Sequence, residues 1–500
     1  MSKINVAFIG IGRIADLHYL GYKNNKNACL YALCDSNAKL LEQRKKQWKV
    51  STIYTNYRDL LADPKVDAVE ILTPHALHEE MVIAAAKAGK HIALQKPMTN
   101  DLESADRMLK ATKGSGKIFR VTDNYTFYPP IQLAKKIIGN GDIGKPIAVR
   151  IKFIGGGSGG WYVPPEAWQW RLKEHTESGG IRGFDTFDHG HHLWTTAFYL
   201  CGGFEKAAGW IDSIDGIIDA PAVMIWKHTN GCYGSIEFVH MPALSIPSKY
   251  YANDEWIEVS GTHGIVVIRR CTGNITKGPA VGVFTSKGWK NYTVHCDWSL
   301  GFIGATHNFV NAILGNEKVM LTGNNAREIL RFSIAVQKAS HVQREVYVEE
   351  LDSAFPFAVY FFHRRKELQA KKSKKGLLER LGITGNLSKY APQAKELTNQ
   401  FIKRYNPGAV KQWTVTIALT ITPDGGVGEM NYAIAIKNGL LDVKEGVKPD
   451  TWDMRISAPA GVWAAILLKK KRIEMAYLQG LLKIEGKAEE ALKLRAAFGI

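Results

Sequence analysis

The sequence predicts an α/β chain in three parts: a doubly wound parallel sheet at the N terminus, an α+β part with a large, open, mostly antiparallel sheet, and a small α+β unit at the C terminus. Three observations carry this expectation. A buried-strand run, Ile4–Ile9, passes straight into Gly10-Ile11-Gly12-Arg13-Ile14-Ala15 and an amphipathic helix. Apolar strands and amphipathic helices then alternate as far as Thr122. Beyond Pro130 the pattern changes to strands joined by Gly- and Asn-rich turns, and near Gly382 it changes again. At 500 residues the chain exceeds one comfortable core. The expected parts are 1–125, 126–355, a basic linker over 356–381, and 382–500.

The opening stretch carries the most chemistry. Gly10 permits the tight turn, Gly12 lets backbone approach a pyrophosphate, and Ala15 is small enough for the helix to pack on the strand. N–H groups of the helix's first turn face phosphate charge. A second apolar run, Cys29–Cys34, ends at Asp35, 25 residues past Gly10. A carboxylate there accepts hydrogen bonds from both adenosine-ribose hydroxyls and repels a 2′-phosphate, so NAD is expected over NADP. Glycines after a strand alone would signify only a loop. Strand, spacing, helix and acidic strand end together make a dinucleotide-binding fold.

The alternation continues in order. Asn37–Trp48 and Tyr57–Ala62 read as helices, Ala68–Leu72 as a buried strand leading into Thr73-Pro74-His75, and Leu77–Ala88 as a helix closed by Gly89. His91–Leu94 is a strand running into Gln95-Lys96-Pro97, Asp101–Thr112 a helix, and Ile118–Thr122 a strand before Asn124. Ligands of such a sheet lie at the carboxyl ends of its strands, where Gly10, Asp35, Thr73, Lys96 and Asn124 fall. Past Gly141-Asp142-Ile143-Gly144 the expected strands are Val149–Ile154, Gly209–Ile211, Val223–Trp226, Cys232–Val239, Trp256–Ser260 and Gly264–Ile268. Helices are expected at Ile131–Ile138, His191–Leu200, Phe302–Leu314 and Ala326–His341. Gly155–Arg171 reads as an aromatic-rich loop, with Trp161, Tyr162, Trp168 and Trp170 placed to stack on a ring or to pack on each other.

Composition narrows the class. Six scattered Cys without a Cys-x-x-Cys pair suit reduced thiols and give no metal-site pattern. No leader precedes the first strand, and the longest apolar runs, Phe355–Phe362 and Ala460–Leu468, are too short to cross a bilayer, so a cytoplasmic chain is expected. The formal charge of +18 is densest at Arg364–Lys375 and Lys469–Arg472. With no nucleic-acid-binding signature, it reads as solvated surface with some attraction to anionic lipid or acidic ligands.

Gly10-Ile11-Gly12-Arg13-Ile14-Ala15, Thr73-Pro74-His75 with His78, Gln95-Lys96-Pro97, Gly141-Asp142-Ile143-Gly144, and Ser178-Gly179-Gly180 followed by Asp188-His189-Gly190-His191-His192 together resemble the glucose–fructose oxidoreductase/inositol dehydrogenase (Gfo/Idh/MocA) family over roughly residues 1–350. The resemblance implies hydride transfer between a secondary alcohol and a nicotinamide dinucleotide. Lys96 and His192 are implied as the proton-handling pair, with Asp188 binding substrate or orienting His192. It implies cofactor contacts from Gly10, Ile11, Gly12, Arg13, Ile14, Asp35, Thr73, Pro74, His75, His78, Gln95, Lys96 and Asn124. Substrate contacts are expected from Tyr125, Trp168, Trp170, Arg171 and His191, a homo-oligomer by analogy, and no metal. The residues argue independently for the same chemistry: oxidising a carbinol needs a group to take its hydroxyl proton, and a carboxylate one turn before a His can set its tautomer. Gln95 stands where the family carries Glu, which leaves Lys96 as a second candidate for the base. Thr126 stands where many relatives carry Arg.

The C-terminal part has its own resemblance. Arg472-Ile-Glu-Met-Ala-Tyr-Leu-Gln-Gly-Leu-Leu-Lys-Ile-Glu-Gly486 with Ala491–Leu494, after Asp450–Ile456 and Ala460–Leu468, looks like the end of a sterol carrier protein type 2 domain. That implies an apolar tunnel for acyl chains or sterols. Read bottom-up, Trp463, Ile466, Leu467, Met475, Leu478 and Leu481 are core in any α/β domain. Two functions follow: a dehydrogenase whose C-terminal part recruits an apolar ligand, or a lipid-binding protein whose dehydrogenase part is redox-silent.

Overall fold

The computed structural model describes residues 3–162, 165–178, 183–214, 216–270, 273, 275–367, 386–410, 413–486, 493–494 and 496–499. Contacts divide the chain into two compact units, Met1–Phe362 and His363–Ile500.

The first unit opens with six parallel strands: β1 (Ile4–Ile9), β2 (Ala28–Cys34), β3 (Thr52–Tyr54), β4 (Ala68–Ile71), β5 (His91–Gln95) and β6 (Phe119–Thr122). Their order is β3-β2-β1-β4-β5-β6. Val6–Phe8 and Ala68–Ile71 are buried on both faces, so Val6–Phe8 reads as an unbroken apolar run, while β4 carries one buried charge, Glu70, held by His18 and Tyr22. The covering helices are α1 (Ala15–Tyr22), α2 (Ala38–Trp48), α3 (Tyr57–Ala62), α4 (His78–Lys87) and α5 (Leu102–Lys113). Asn37, Asn56 and Asp101 cap the starts of α2, α3 and α5 through their side chains.

Helix α6 (Pro129–Gly139) leads into the second sheet: β7 (Pro146–Ser158), β8 (Phe204–Ile211), β9 (Ala222–His228), β10 (Tyr233–Ser245), β11 (Asn253–Gly261), β12 (Gly264–Arg270), β13 (Val281–Thr285), β14 (Gly288–Tyr292) and β15 (Val346–Tyr347). The order is β14-β13-β12-β11-β7-β10-β9-β8-β15. Only β7 and β10 pair in parallel; their neighbours run antiparallel. In β9 alternate residues are buried, so Val223 and Ile225 join Trp210 and Tyr233 among the exposed apolar side chains of this sheet.

Helices α7 (Pro165–Glu177) and α8 (Gly190–Cys201), with a π-helical turn Phe184–His189 between them, lie between β7 and β8 in the chain. The stretch expected as the loop Gly155–Arg171 is instead the end of β7 followed by α7, which places Trp170 and Arg171 on a helix. Five Gly in six residues, 155–160, hid the strand: at Gly156 and Gly157 an added Cβ would lie 2.7 Å from Leu244 O and 1.9 Å from Pro242 O, so close strand approach selects glycine there. The side chain of Trp168 lies outside the described residues. Helices α9 (Ser299–Ile313) and α10 (Gly323–His341) close the unit. Helix α9 packs back on α1 where Gly21 leaves room for Thr306, which binds the second sheet's chain to the first. A further helix, α11, spans 356–367.

The second unit holds α12 (Ala394–Lys403), α13 (Ala460–Leu467) and α14 (Ile473–Leu478). Its sheet contains β16 (Val415–Thr422), β17 (Met430–Lys437), β18 (Leu440–Glu445), β19 (Met454–Pro459) and β20 (Lys483–Gly486), ordered β18-β17-β16-β19-β20. Its core joins Leu397 and Phe401 to Ile417, Leu419, Ile434, Ile456 and Trp463. The side chains of Met475 and Leu478, the whole basic stretch after Glu367, Gly179 and Gly180, and Ala491–Leu492 lie outside the described residues.

Candidate active site

At the end of β1 the chain turns on Gly10, whose φ of +86° suits glycine alone and whose added Cβ would lie 2.9 Å from Leu72 O. At Gly12 an added Cβ would meet nothing within 4 Å, so backbone is exposed there beside the start of α1, which has no side-chain cap. Asp35, at the end of β2, accepts the Ile11 N–H at 3.0 Å and the Asn37 N–H at 2.9 Å, which sets its carboxylate against the glycine turn. This open cradle, positive helix end and adjacent carboxylate fit a dinucleotide. Arg13 stands over the Trp161 ring at 4.5 Å.

Beyond β4, Thr73, Pro74 and His75 form the next strand-end loop. His75 Nδ1 meets Glu174 Oε2 at 3.0 Å, the Ala76 N–H donates to Glu174 Oε1 at 3.2 Å, and the Trp170 ring sits edge-on to His75 at 4.9 Å. Helix α7 thereby lays a carboxylate and an indole on this loop. His78 is fully buried, with Nε2 2.9 Å from Thr73 O and Nδ1 3.1 Å from Pro97 O, so it ties two strand-end loops together rather than facing the cleft. Burial pulls its pKa down to about 4. Gln95 does the same kind of work: its Oε1 accepts the Lys96 N–H at 2.8 Å and its Nε2 reaches His18 at 3.1 Å.

Lys96 reaches across to the π-helical turn. Its Nζ donates to Asp188 Oδ1 at 2.7 Å and to Asp188 O at 2.8 Å, while Arg171 Nε donates to Asp188 Oδ2 at 2.7 Å. His75 Nε2 lies 3.7 Å from Asp188 Oδ1. Burial opposes the Asp188 charge, but Lys96, Arg171 and His75 outweigh it and hold the carboxyl well below its ordinary range. The carboxylate missing at position 95 is thus replaced, for Lys96, by Asp188.

His192 lies one turn further on and has a different partner from the expected one. Its Nδ1 meets Asp123 Oδ1 at 2.8 Å, so Asp123 rather than Asp188 orients it. Asp188, with both oxygens committed to cations, is turned toward Lys96 and Arg171. Asp123 follows β6 directly, and its Oδ1 also accepts the Tyr125 N–H at 3.0 Å. With Nδ1–H donated to Asp123, His192 Nε2 is left as an acceptor. Burial carries the imidazole down to about 4 despite Asp123, so it is neutral near pH 7. Tyr125 stacks on His192 at 4.3 Å and donates to Glu255 Oε1 at 2.8 Å, which His189 Nε2 also meets at 2.9 Å. Tyr125 is therefore a fully buried wall behind His192. His191 turns away: Nδ1 meets Phe187 O at 2.9 Å, and burial carries it down to about 3. Asn124 is buried, with its backbone packed where α9 carries Gly301.

Helix α8 is pinned at both ends. Before it, buried Asp219 accepts the Asp185 and Thr186 N–H groups at 2.7 Å each and the Thr186 hydroxyl; Gln337 donates to that hydroxyl oxygen at 2.7 Å. After it, Asn230 donates to Cys201 O at 2.7 Å and His228 Nδ1 meets Gly202 O at 2.9 Å.

Sequence reasoning missed Asp123, Glu174 and Glu255. Asp123 had a usable signal, because it stands at the carboxyl end of β6 beside Asn124. Glu174 and Glu255 had none: one sits on an unforeseen helix, the other mid-strand in β11.

Comparison with known proteins agrees with this layout. Residues 4–123 match the oxidoreductase family with an NAD-binding Rossmann fold, residues 131–267 the GFO/IDH/MocA C-terminal domain, and residues 395–499 the SCP-2 sterol transfer family. The myo-inositol 2-dehydrogenase of Thermotoga maritima is 27% identical over 364 residues, covering 70% of this chain and 99% of the relative. The levoglucosan dehydrogenase of Pseudarthrobacter phenanthrenivorans is 26% identical over 303 residues, covering 53% and 74%. A structure of levoglucosan dehydrogenase with NADH and levoglucosan shares the fold over 69% of this chain and 100% of its own, with a TM-score of 0.60 at 21% identity.

Proposed function

Because the chain belongs to the Gfo/Idh/MocA oxidoreductases through its N-terminal unit and to the SCP-2 sterol transfer family through residues 395–499, we propose that it transfers hydride between a secondary carbinol of a sugar, cyclitol or glycoside and NAD, while the C-terminal unit takes an apolar ligand. The observation that carries the reading is the convergence of Lys96, Asp188 and the Asp123–His192 pair around the strand ends that also hold Gly12 and Asp35.

Gly10, Ile11, Gly12, Arg13, Ile14 and Asp35 hold the dinucleotide, together with Thr73, Pro74 and His75. Asp35 supports NAD over NADP, since its carboxylate repels a 2′-phosphate. When bound, the nicotinamide supplies the hydride acceptor. His192 Nε2 takes the carbinol proton, and Asp123 stabilises the imidazolium as it forms. The Lys96 ammonium donates to the same oxygen and favours its developing negative charge. Asp188 holds Lys96 in place with Arg171. Neutral His192 beside a charged Lys96 is the division of labour that alcohol oxidation needs: one group to accept a proton, another to steady an alkoxide.

The exposed apolar side chains Trp210, Val223, Ile225 and Tyr233 support a homo-oligomer. Among the described residues, no helix is long and apolar enough to cross a membrane. The test is NADH absorbance with myo-inositol, scyllo-inositol, levoglucosan and free aldohexoses, with Lys96→Ala as control. Turnover of a carbinol that the control lacks is expected. Turnover surviving in Lys96→Ala overturns the site assignment, and reduction of NADP in preference to NAD overturns the role of Asp35.

A further inference from the structure

Trp161, just past the end of β7, stands beside the dinucleotide turn with a hydrogen-bond donor that nothing answers. Its indole Nε1–H is buried and meets no acceptor among the described residues. The indoles of Trp194, Trp226 and Trp463 differ: they donate to Thr186 O at 3.2 Å, to His228 Nε2 at 2.8 Å and to the Thr398 hydroxyl at 2.9 Å. The place of Trp161 is set by the chain between β10 and β11. Its backbone N–H donates to Tyr250 O at 2.7 Å, and its ring stands edge-on to Tyr250 at 5.6 Å and to Tyr251 at 5.2 Å. Tyr251 is edge-on to Trp298 at 5.8 Å, and Trp298 to His192 at 6.5 Å. The guanidinium of Arg13, the residue after Gly12, lies over the Trp161 ring at 4.5 Å. An aromatic arch thus runs from the glycine turn to the proposed base.

Packing does not call for that N–H. Edge-on contact with two tyrosines and a cation over the ring face are both open to phenylalanine. A buried donor without an acceptor, by contrast, carries a desolvation cost that nothing in the unliganded fold returns. Arg13 cannot answer it, because a guanidinium offers donors alone. A group that suits both side chains carries oxygen and negative charge. On the reading that Gly10–Ala15 holds NAD, the part of NAD that lies against Gly12 and Arg13 is the pyrophosphate, whose oxygens accept and whose charge matches the guanidinium. We propose that Trp161 is a cofactor-binding residue contributed from outside the parallel sheet: its indole N–H donates to the pyrophosphate while its ring face steadies Arg13 there. The inference rests on the NAD reading and extends it to a residue far from the glycine turn in sequence.

The test is titration calorimetry of the full chain with NAD and with ADP-ribose, which keeps the pyrophosphate and lacks the nicotinamide. Trp161→Phe keeps a ring against Tyr250, Tyr251 and Arg13 and removes the N–H. It is expected to raise the Kd of both ligands by the same factor, about ten- to a hundredfold, the worth of a hydrogen bond to a charged acceptor. The thermal midpoint of the unliganded variant is expected to match wild type, because the N–H has no partner there to lose. Trp161→Leu repeats the measurement with apolar bulk should Trp161→Phe not fold. Kd values within about twofold of wild type overturn the inference and leave the NAD reading standing. A loss confined to NAD also overturns it, since the contact would then belong to the nicotinamide half. So does an unliganded midpoint that falls together with the affinity, which makes the indole a packing residue. A wild-type chain that binds neither ligand overturns the NAD reading, and this inference with it.

Discussion

Replacing Asp123 by Asn tests the site most sharply, because it removes a charge and almost no volume. Asp123 Oδ1 lies 2.8 Å from His192 Nδ1, and both groups are buried. In the proposed mechanism His192 becomes a cation as it takes the carbinol proton, with its charge centre then about 4 Å from that of the carboxylate. At an effective dielectric constant of about 20 this attraction is about 4 kcal/mol, or about 10³ in kcat at 1.36 kcal/mol per decade. Substrate binding involves no such charge, so KM is expected to stay within about threefold. A second readout follows from the sign of the pKa effect. Burial lowers His192 and Asp123 raises it, so removing the carboxylate lowers it further. The base works unprotonated, and activity fails as pH falls through its pKa; the acid limb of kcat/KM therefore moves to lower pH in Asp123→Asn. Lys96, His189, His191 and His75 also surround this centre, and all of them persist in the variant. Stopped-flow and steady-state NADH absorbance across pH measure both effects. A kcat within about threefold of wild type, or an unmoved acid limb, would refute the pairing as the source of basicity.

Gly12→Ala is expected to leave Tm unchanged and raise the NAD Kd roughly tenfold or more by calorimetry, since its Cβ meets only the space a dinucleotide needs. Gly10→Ala, forced to φ +86° and against Leu72 O, should instead cost about 1–3 kcal/mol of stability in urea unfolding. His191 and His192 are depressed to about 3 and about 4, so the unfolded chain binds more protons than the native one below about pH 6.5. Stability is therefore present above that pH and falls as pH drops toward 4, and His191→Gln should make the decline shallower by up to ~1.4 kcal/mol per pH unit in denaturant titrations. Trp463→Ala removes a fully buried ring whose Nε1 donates to Thr398 at 2.9 Å; a loss of about 3–5 kcal/mol in the C-terminal unit's transition is expected, with NAD affinity unchanged.

The first sheet was readable because its strands are mostly apolar, with few charges such as Glu70 and Arg120 inside them, and its helices are capped by Asn37, Asn56 and Asp101, signals that are local in sequence. The mixed sheet was readable in kind, but its Gly-rich β7 was cut short because strand approach there depends on Pro242 and Leu244, some 85 residues away. Lys96, Asp188 and His192 could be named from motif spacing; what each touches could not. A carboxylate four residues before a His suggested an orienting pair, yet Asp188 is drawn away by two cations from β5 and α7, and Asp123 arrives from the end of β6. Such partners come from distant chain and leave no periodic trace. The family, the enzyme class and the SCP-2 likeness were legible, because they rest on contiguous motifs.

With its leading turn clasped by Asp219 and Gln337 and its tail held by Asn230 and His228, the helix bearing His192 cannot swing to meet a guest. In the proposed reaction, His192 as a stationary proton acceptor on one side and the tethered Lys96 ammonium on the other would leave a single trajectory for the departing hydrogen. Under the proposed reaction, epimers that differ only at the oxidised carbon would point that hydrogen the wrong way, so the proposal predicts selection by handedness at one centre more than by ring size.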